Sequence, residues 1–203
     1  MTGTIPALLL GLVLGARHAL EPDHLTAVST LATEEPSPRR GLLLGAIWGL
    51  GHSASLFAVG TVLALLHAEM PRRLAEGCEV AVGVMLILLG LRALARVRTP
   101  APRVHAHAPR AFAWRSLAVG MIHGLAGSGA LTALVLAELP STASRLLYIV
   151  LFGAGSVVGM SVLSGAVGVP LALVGRRAPA RAALSAVAGV VSVALGIVWA
   201  LRI

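Results

Sequence analysis

The stretch Arg17-His18-Ala19-Leu20-Glu21-Pro22-Asp23-His24 sets five ionisable side chains within eight residues of an otherwise apolar run. Each charged type at the centre of a membrane helix costs roughly 2.5–3.5 kcal/mol on insertion scales. Such a cluster persists only where its members face one another, a water-filled cavity or a bound ion. Imidazole nitrogens with one carboxylate and no thiolate suit nickel, cobalt, zinc or copper(II), whereas calcium and magnesium prefer all-oxygen shells. His18, Asp23 and His24 are therefore candidate metal ligands, and proton carriage is the other chemistry open to them.

Pro22 adds a backbone feature. It lacks an amide donor, and its ring clashes with the carbonyl four residues back, that of His18. A kink or unwound turn is expected between His18 and Asp23. In a regular helix His18 and His24 would not share a face, so the break is what would let the three side chains converge. Irregular backbone at membrane depth is tolerated where it lines a cavity.

Two further histidines sit among small residues. Gly45, Gly49, Gly51, Ser53 and Gly60 surround His52, and small residues allow close helix approach. His123 precedes Gly124 in a later apolar run. At a rise of about 1.5 Å per residue, His18 lies roughly 20 Å from one face, and His52 and His123 roughly 16 and 15 Å from the other. In a core about 30 Å thick, all three approach the middle. The full candidate metal set is His18, Asp23, His24, His52 and His123. Arg17 and Glu21 are expected to neutralise each other, and Glu69 and Glu138 read as interfacial. His105 and His107 form a short tract that could capture metal weakly, although paired histidines in a solvated loop more often have no role.

The elements that must position these residues follow from composition. The 203 residues are 57% hydrophobic and 12% charged, with mean hydropathy +0.91. A soluble domain with this balance would carry a largely apolar surface. A membrane-spanning helix takes about 20 apolar residues, so six would use most of the chain and leave no soluble domain. The single Cys78 excludes an intramolecular disulfide and a cysteine-based zinc site. The +8 charge is carried by arginines placed in loops and does not imply nucleic acid. The run before Arg17 lacks a basic leader and continues to about Ala32, so a retained first helix is expected rather than a cleaved signal.

Apolar runs fall at about 5–32, 42–67, 79–97, 112–137, 146–174 and 182–201, separated by stretches holding Pro or clustered Arg. Within lipid every backbone polar group must be satisfied, so these runs are helices. Loops one–two, three–four and five–six and their flanks carry eleven arginines against four on the opposite side. The positive-inside rule then puts both termini outside and the 98–110 loop in the cytoplasm of a bacterial inner membrane.

An internal repeat is also legible. Gly15 to Leu20 aligns with Gly120 to Leu125, Trp48-Gly49-Leu50-Gly51 with Phe152-Gly153-Ala154-Gly155, and Gly83 and Gly90 with Gly189 and Gly196. Three helices per half is an odd number, so the halves would be inverted relative to each other, a transporter architecture with its substrate site at the repeat interface. The expected fold is an all-α polytopic membrane protein of about six transmembrane helices in two inverted three-helix repeats. Residues 1–97 form the first repeat, 98–111 a cytoplasmic loop and 112–203 the second repeat. Exposed Gly-rich faces would permit a homodimer.

At these residues the chain resembles the nickel/cobalt transporter family, and within it the short, six-helix, urease-accessory-like branch. The family signature, His then four residues then Asp-His, is matched by His18, Asp23 and His24. A Gly-His-Ser in the next helix is matched by Gly51, His52 and Ser53, and a His-Gly-Leu-Ala-Gly-Ser stretch by His123 through Ser128. The chain departs where the common form has Asp-Ala and it has Glu21-Pro22, and the later acidic and threonine motifs of larger members are absent. The resemblance implies that His18, Asp23, His24 and His52 bind metal. It also implies Ni2+ or Co2+ as transported substrate, and no prosthetic group. Metalloenzyme maturation proteins are the partners it suggests beside the metal ion and the lipid bilayer.

Three functions compete. The first is a permease, not an enzyme, in which the ion is dehydrated at mid-depth and released as the two halves rock. No Gly-rich Lys-Ser/Thr loop exists to bind nucleotide. The second is a non-transporting accessory that holds metal for a urease or hydrogenase. The third is an intramembrane metalloenzyme with a metal-activated water, which lacks His-Glu-x-x-His and has only Glu21 as a nearby base.

Overall fold

The computed structural model describes residues 4–33, 37–98, 109–139, 141–174 and 178–201. Among them are seven α-helices: α1 Thr4–His18, α2 Pro22–Ala32, α3 Pro38–Leu66, α4 Arg72–Arg98, α5 Pro109–Glu138, α6 Thr142–Val174 and α7 Ala178–Leu201. Pro38–Leu66, Arg72–Val97, Thr142–Leu173 and Pro179–Leu201 are long and apolar enough to cross a membrane, and a shorter apolar helix covers Leu8–His18. Leucines such as Leu9, Leu43, Leu66, Leu88 and Leu173 face outward while His24, His52 and His123 are buried. This inversion of the usual soluble pattern fits a lipid surround. His105 and His107 lie outside the described residues.

The first apolar run is two helices, not one. Glu21 N–H donates to the His18 carbonyl at 3.0 Å, and Leu20 N–H to that of Arg17 at 2.9 Å, closing α1 in tight turns. Glu21 then takes an extended backbone (φ −63°, ψ 146°), as a residue before proline does. Pro22 opens α2 at a first-turn position where its missing donor costs nothing. The helices also begin earlier than the apolar runs: α3 at Pro38 rather than 42, α4 at Arg72 rather than 79, α5 at Pro109 rather than 112. A first turn of Pro and Arg extends a helix beyond hydrocarbon without registering as apolar.

Packing is dominated by backbone approach at glycine. A methyl group on Gly15 would meet the backbone of Phe152, and one on Gly120 the backbone of Trp48. Gly155 abuts Leu12 and Ala16, while Gly51 abuts Leu117 and Met121. Between α4 and α7, Gly83 faces Gly196 and Gly90 faces Gly189. These are the contacts small residues permit in helix bundles. Hydroxyls add further ties: Ser53 Oγ donates to the Gly153 carbonyl at 2.9 Å between α3 and α6, and the buried Ser192 Oγ to the Leu86 carbonyl at 2.7 Å between α7 and α4.

Candidate metal centre

The break after α1 sets His18 beside His24, their ring centroids 4.5 Å apart. From α3, His52 reaches both, with centroids 5.0 Å from His18 and 5.2 Å from His24. From α5, His123 lies 4.5 Å from His24. The geometry brings together all five residues singled out in the sequence. Close packing explains their placement: Gly124 lies against the backbone of His52, so α3 and α5 cross where their histidines sit.

Two carboxylates orient the imidazoles. Glu21 Oε1 lies 2.7 Å from His18 Nδ1. Glu21 therefore serves His18, which corrects the expectation that it neutralises Arg17. Asp23 Oδ1 lies 3.1 Å from His24 Nδ1 and also accepts the His24 backbone N–H at 2.9 Å. With Nδ1 held in each case, Nε2 is left as the free nitrogen of His18 and of His24. This carboxylate–imidazole pairing is how metal-binding histidines are commonly held.

The remaining buried nitrogens have no protein partner. His18 Nε2, His24 Nε2, both nitrogens of His52 and Nδ1 of His123 lack a hydrogen bond. Each unmade bond at a buried polar atom costs about 1–3 kcal/mol, so an accumulation of this kind calls for a missing partner such as an ion. The donor atoms of His18, His24 and His52 lie within 4.8 Å of one another, as do those of Asp23, His24 and His123. The two triads share His24. Either could hold a divalent ion through nitrogen or mixed nitrogen–oxygen ligation.

Other residues complete the surroundings. Trp48, fully buried, stacks on His24 with centroids 5.5 Å apart and planes 16° from parallel. Phe152 approaches His18 at 5.4 Å, and Trp48 approaches His123 at 5.5 Å. A cavity of about 270 Å³ reaches the cluster, lined by His18, Glu21, Asp23, His24, Glu79 and His123 together with Ala126, Gly127 and Trp199. Trp48 and Glu79 were not among the sequence candidates. Trp48 stands one helical turn before His52, a spacing that places both on one face. Glu79 is a carboxylate inside an apolar helix whose neighbours at three and four positions are Ala75, Glu76, Val82 and Gly83, none cationic.

Comparison with known proteins gives three relatives of note. The chain is 33% identical over 201 residues to urease accessory protein UreH of Bacillus sp. (strain TB-90), covering 94% of this chain and 88% of that protein. It is 24% identical over 178 residues to chloroplast protein FOR GROWTH AND FERTILITY 1 of Arabidopsis thaliana, and 27% over 166 residues to FOR GROWTH AND FERTILITY 2. It spans 48% and 44% of those two chloroplast proteins. No family model matches the chain, and no solved structure matches it significantly.

Proposed function

The chain belongs to the family of urease accessory protein UreH, and from that premise we propose that it is a membrane permease for a divalent transition metal ion, nickel or cobalt. The observation that carries the proposal is a buried cluster of imidazoles that hold unpartnered nitrogens and form two triads, the ligand atoms of each triad lying within 4.8 Å of one another. His18, His24 and His52 would replace water around the ion, with Glu21 and Asp23 holding the first two rings in place. His123 and Asp23, sharing His24, offer a second position to which the ion could move. Six spans are proposed, the first made of α1 and α2.

Two inverted repeats are part of the proposal, and reciprocal packing supports them. Gly15 meets Phe152 while its counterpart Gly120 meets Trp48, the counterpart of Phe152. Gly155 meets Leu12 and Ala16, while Gly51 meets Leu117 and Met121, and each side maps onto the other at the offsets read from the sequence. Such reciprocity is what a pseudo-two-fold axis between the halves produces. The ion would lie on that axis and gain access to either face as the halves rock.

The test is reconstitution into liposomes with a trapped fluorescent chelator. Nickel and cobalt should enter through the wild-type protein and not through His18→Ala. A His18→Ala protein that transports normally would sink the assignment. The name of the relative favours a second reading, an accessory that binds metal for a maturing urease without moving it. Stoichiometric binding, lost in His18→Ala, with no flux in either protein would select that reading.

A further inference from the structure

The cavity that reaches the histidines carries two carboxylates that the metal cluster does not require for its own ligation. Glu21 stands at the α1–α2 junction and Glu79 on α4, and both line the cavity. Glu79 lies seven residues beyond Arg72, about 10 Å along the helix at 1.5 Å per residue, inside a segment apolar enough to cross a membrane. The Glu79 side chain is exposed rather than packed within the bundle, so its charge stays available to the cavity it lines. One turn earlier, Glu76 is already engaged by Arg72 at 2.7 Å, so that arginine is committed to a different carboxylate. The same cavity is lined by His24, 2% exposed, whose Nε2 has no partner. The wall of the cavity therefore runs from carboxylate to unsatisfied imidazole.

We propose that Glu79, which lines this cavity together with Glu21, forms a capture vestibule in which a hydrated divalent cation is drawn in before the histidines strip its water. The proposal rests on the metal-binding reading given above, but not on transport, since an accessory would need the same entrance. Chemistry favours this division of labour. Carboxylate oxygens accept hydrogen bonds from metal-bound water and attract charge, while imidazoles bind the ion more tightly once it is dehydrated. A narrow low-dielectric opening lined by negative charge concentrates cations and raises association rates. The role assigned to Glu79 is thus to speed arrival rather than to ligate.

The experiment follows cobalt binding by stopped-flow quenching of tryptophan fluorescence, which Trp48 stacked on His24 and Trp199 in the cavity wall place near the ion. Purified full-length wild type, Glu79→Gln, Glu79→Asp and His24→Ala are compared at low and high salt. The association rate for Glu79→Gln should fall about 3–10-fold at low salt, a fraction of the range available to a charged cleft. Its dependence on ionic strength should flatten, and Glu79→Asp should recover most of the lost rate. Glu79→Gln within twofold of wild type at both salt concentrations would overturn the vestibule, as would Glu79→Asp as slow as Glu79→Gln. His24→Ala separates the two levels: if it binds cobalt as wild type does, the metal centre fails, whereas binding lost there with Glu79→Gln unaffected removes only the vestibule.

Discussion

Asp23 and His123 meet across two helices, the carboxylate Oδ2 of α2 lying 3.3 Å from Nε2 on α5. The other oxygen of the same carboxylate holds His24. One side chain therefore fixes an imidazole on its own helix and touches another contributed from the second half of the chain.

Asp23→Asn should weaken nickel or cobalt binding by about 10–100-fold, the range seen when the carboxylate behind a metal-bound histidine is removed. Equilibrium dialysis of the purified variant measures it. Affinity within twofold of wild type would mean that His24 does not depend on Asp23 for its orientation.

Glu21→Gln probes the same logic at His18. The amide can still accept from Nδ1–H but loses the charge behind the ring. Binding should weaken about tenfold, less than in His18→Ala. Equal losses in the two variants would make Glu21 a ligand rather than a positioning residue.

His52→Ala and His123→Ala separate the two triads. If the ion rests with His18, His24 and His52, x-ray absorption should count one imidazole fewer in His52→Ala and an unchanged number in His123→Ala. The reverse pattern would place the resting ion between Asp23, His24 and His123.

Close backbone contact makes a stability prediction. Gly120→Leu forces a side chain into the backbone of Trp48, and overpacking of this kind typically costs about 1–3 kcal/mol or more. Gly77 on α4 has nothing within 4 Å of an added methyl, so Gly77→Ala should be neutral or stabilising by up to about 1 kcal/mol. Thermal melts in detergent should fall by several degrees for the first and not for the second. A Gly120→Leu protein that melts like wild type would remove the case for tight α3–α5 packing.

The candidate ligands were legible because they break the rule of their surroundings. Five ionisable groups in a lipid-facing run need a reason, and Pro22 announces where the helix must stop. His52 and His123 were legible as large polar side chains among glycines. Trp48 was harder to see, since an aromatic residue in an apolar helix carries no signal until a histidine is known to lie over it. Glu79 was hidden by position: it begins the apolar run at 79–97 and so read as a boundary, whereas α4 starts at Arg72 and carries Glu79 two turns into the helix, where it lines the cavity. The partner of Glu21 could not be read from spacing, because Arg17 stands four residues before it and His18 three, both reachable on a regular helix. The tight turns that end α1 decide for His18.

The broken first span also bears on how the protein is made. α1 has 15 residues, about 22 Å at 1.5 Å per residue, which falls short of a core about 30 Å thick. Its glycine face, Gly11 and Gly15, finds its counterpart in Tyr148 and Phe152 of α6, which leaves the ribosome long after α1 does. We infer that the amino-terminal segment is held only loosely in the membrane until α6 arrives to clamp it, so the histidine cluster is assembled late and all at once. With the native Cys78 replaced by serine, a ribosome-bound chain ending at residue 141 should leave a cysteine at position 16 open to a water-soluble maleimide, and a released full-length chain should shield it. Equal labelling of the two would show that the first helix settles without its late partner.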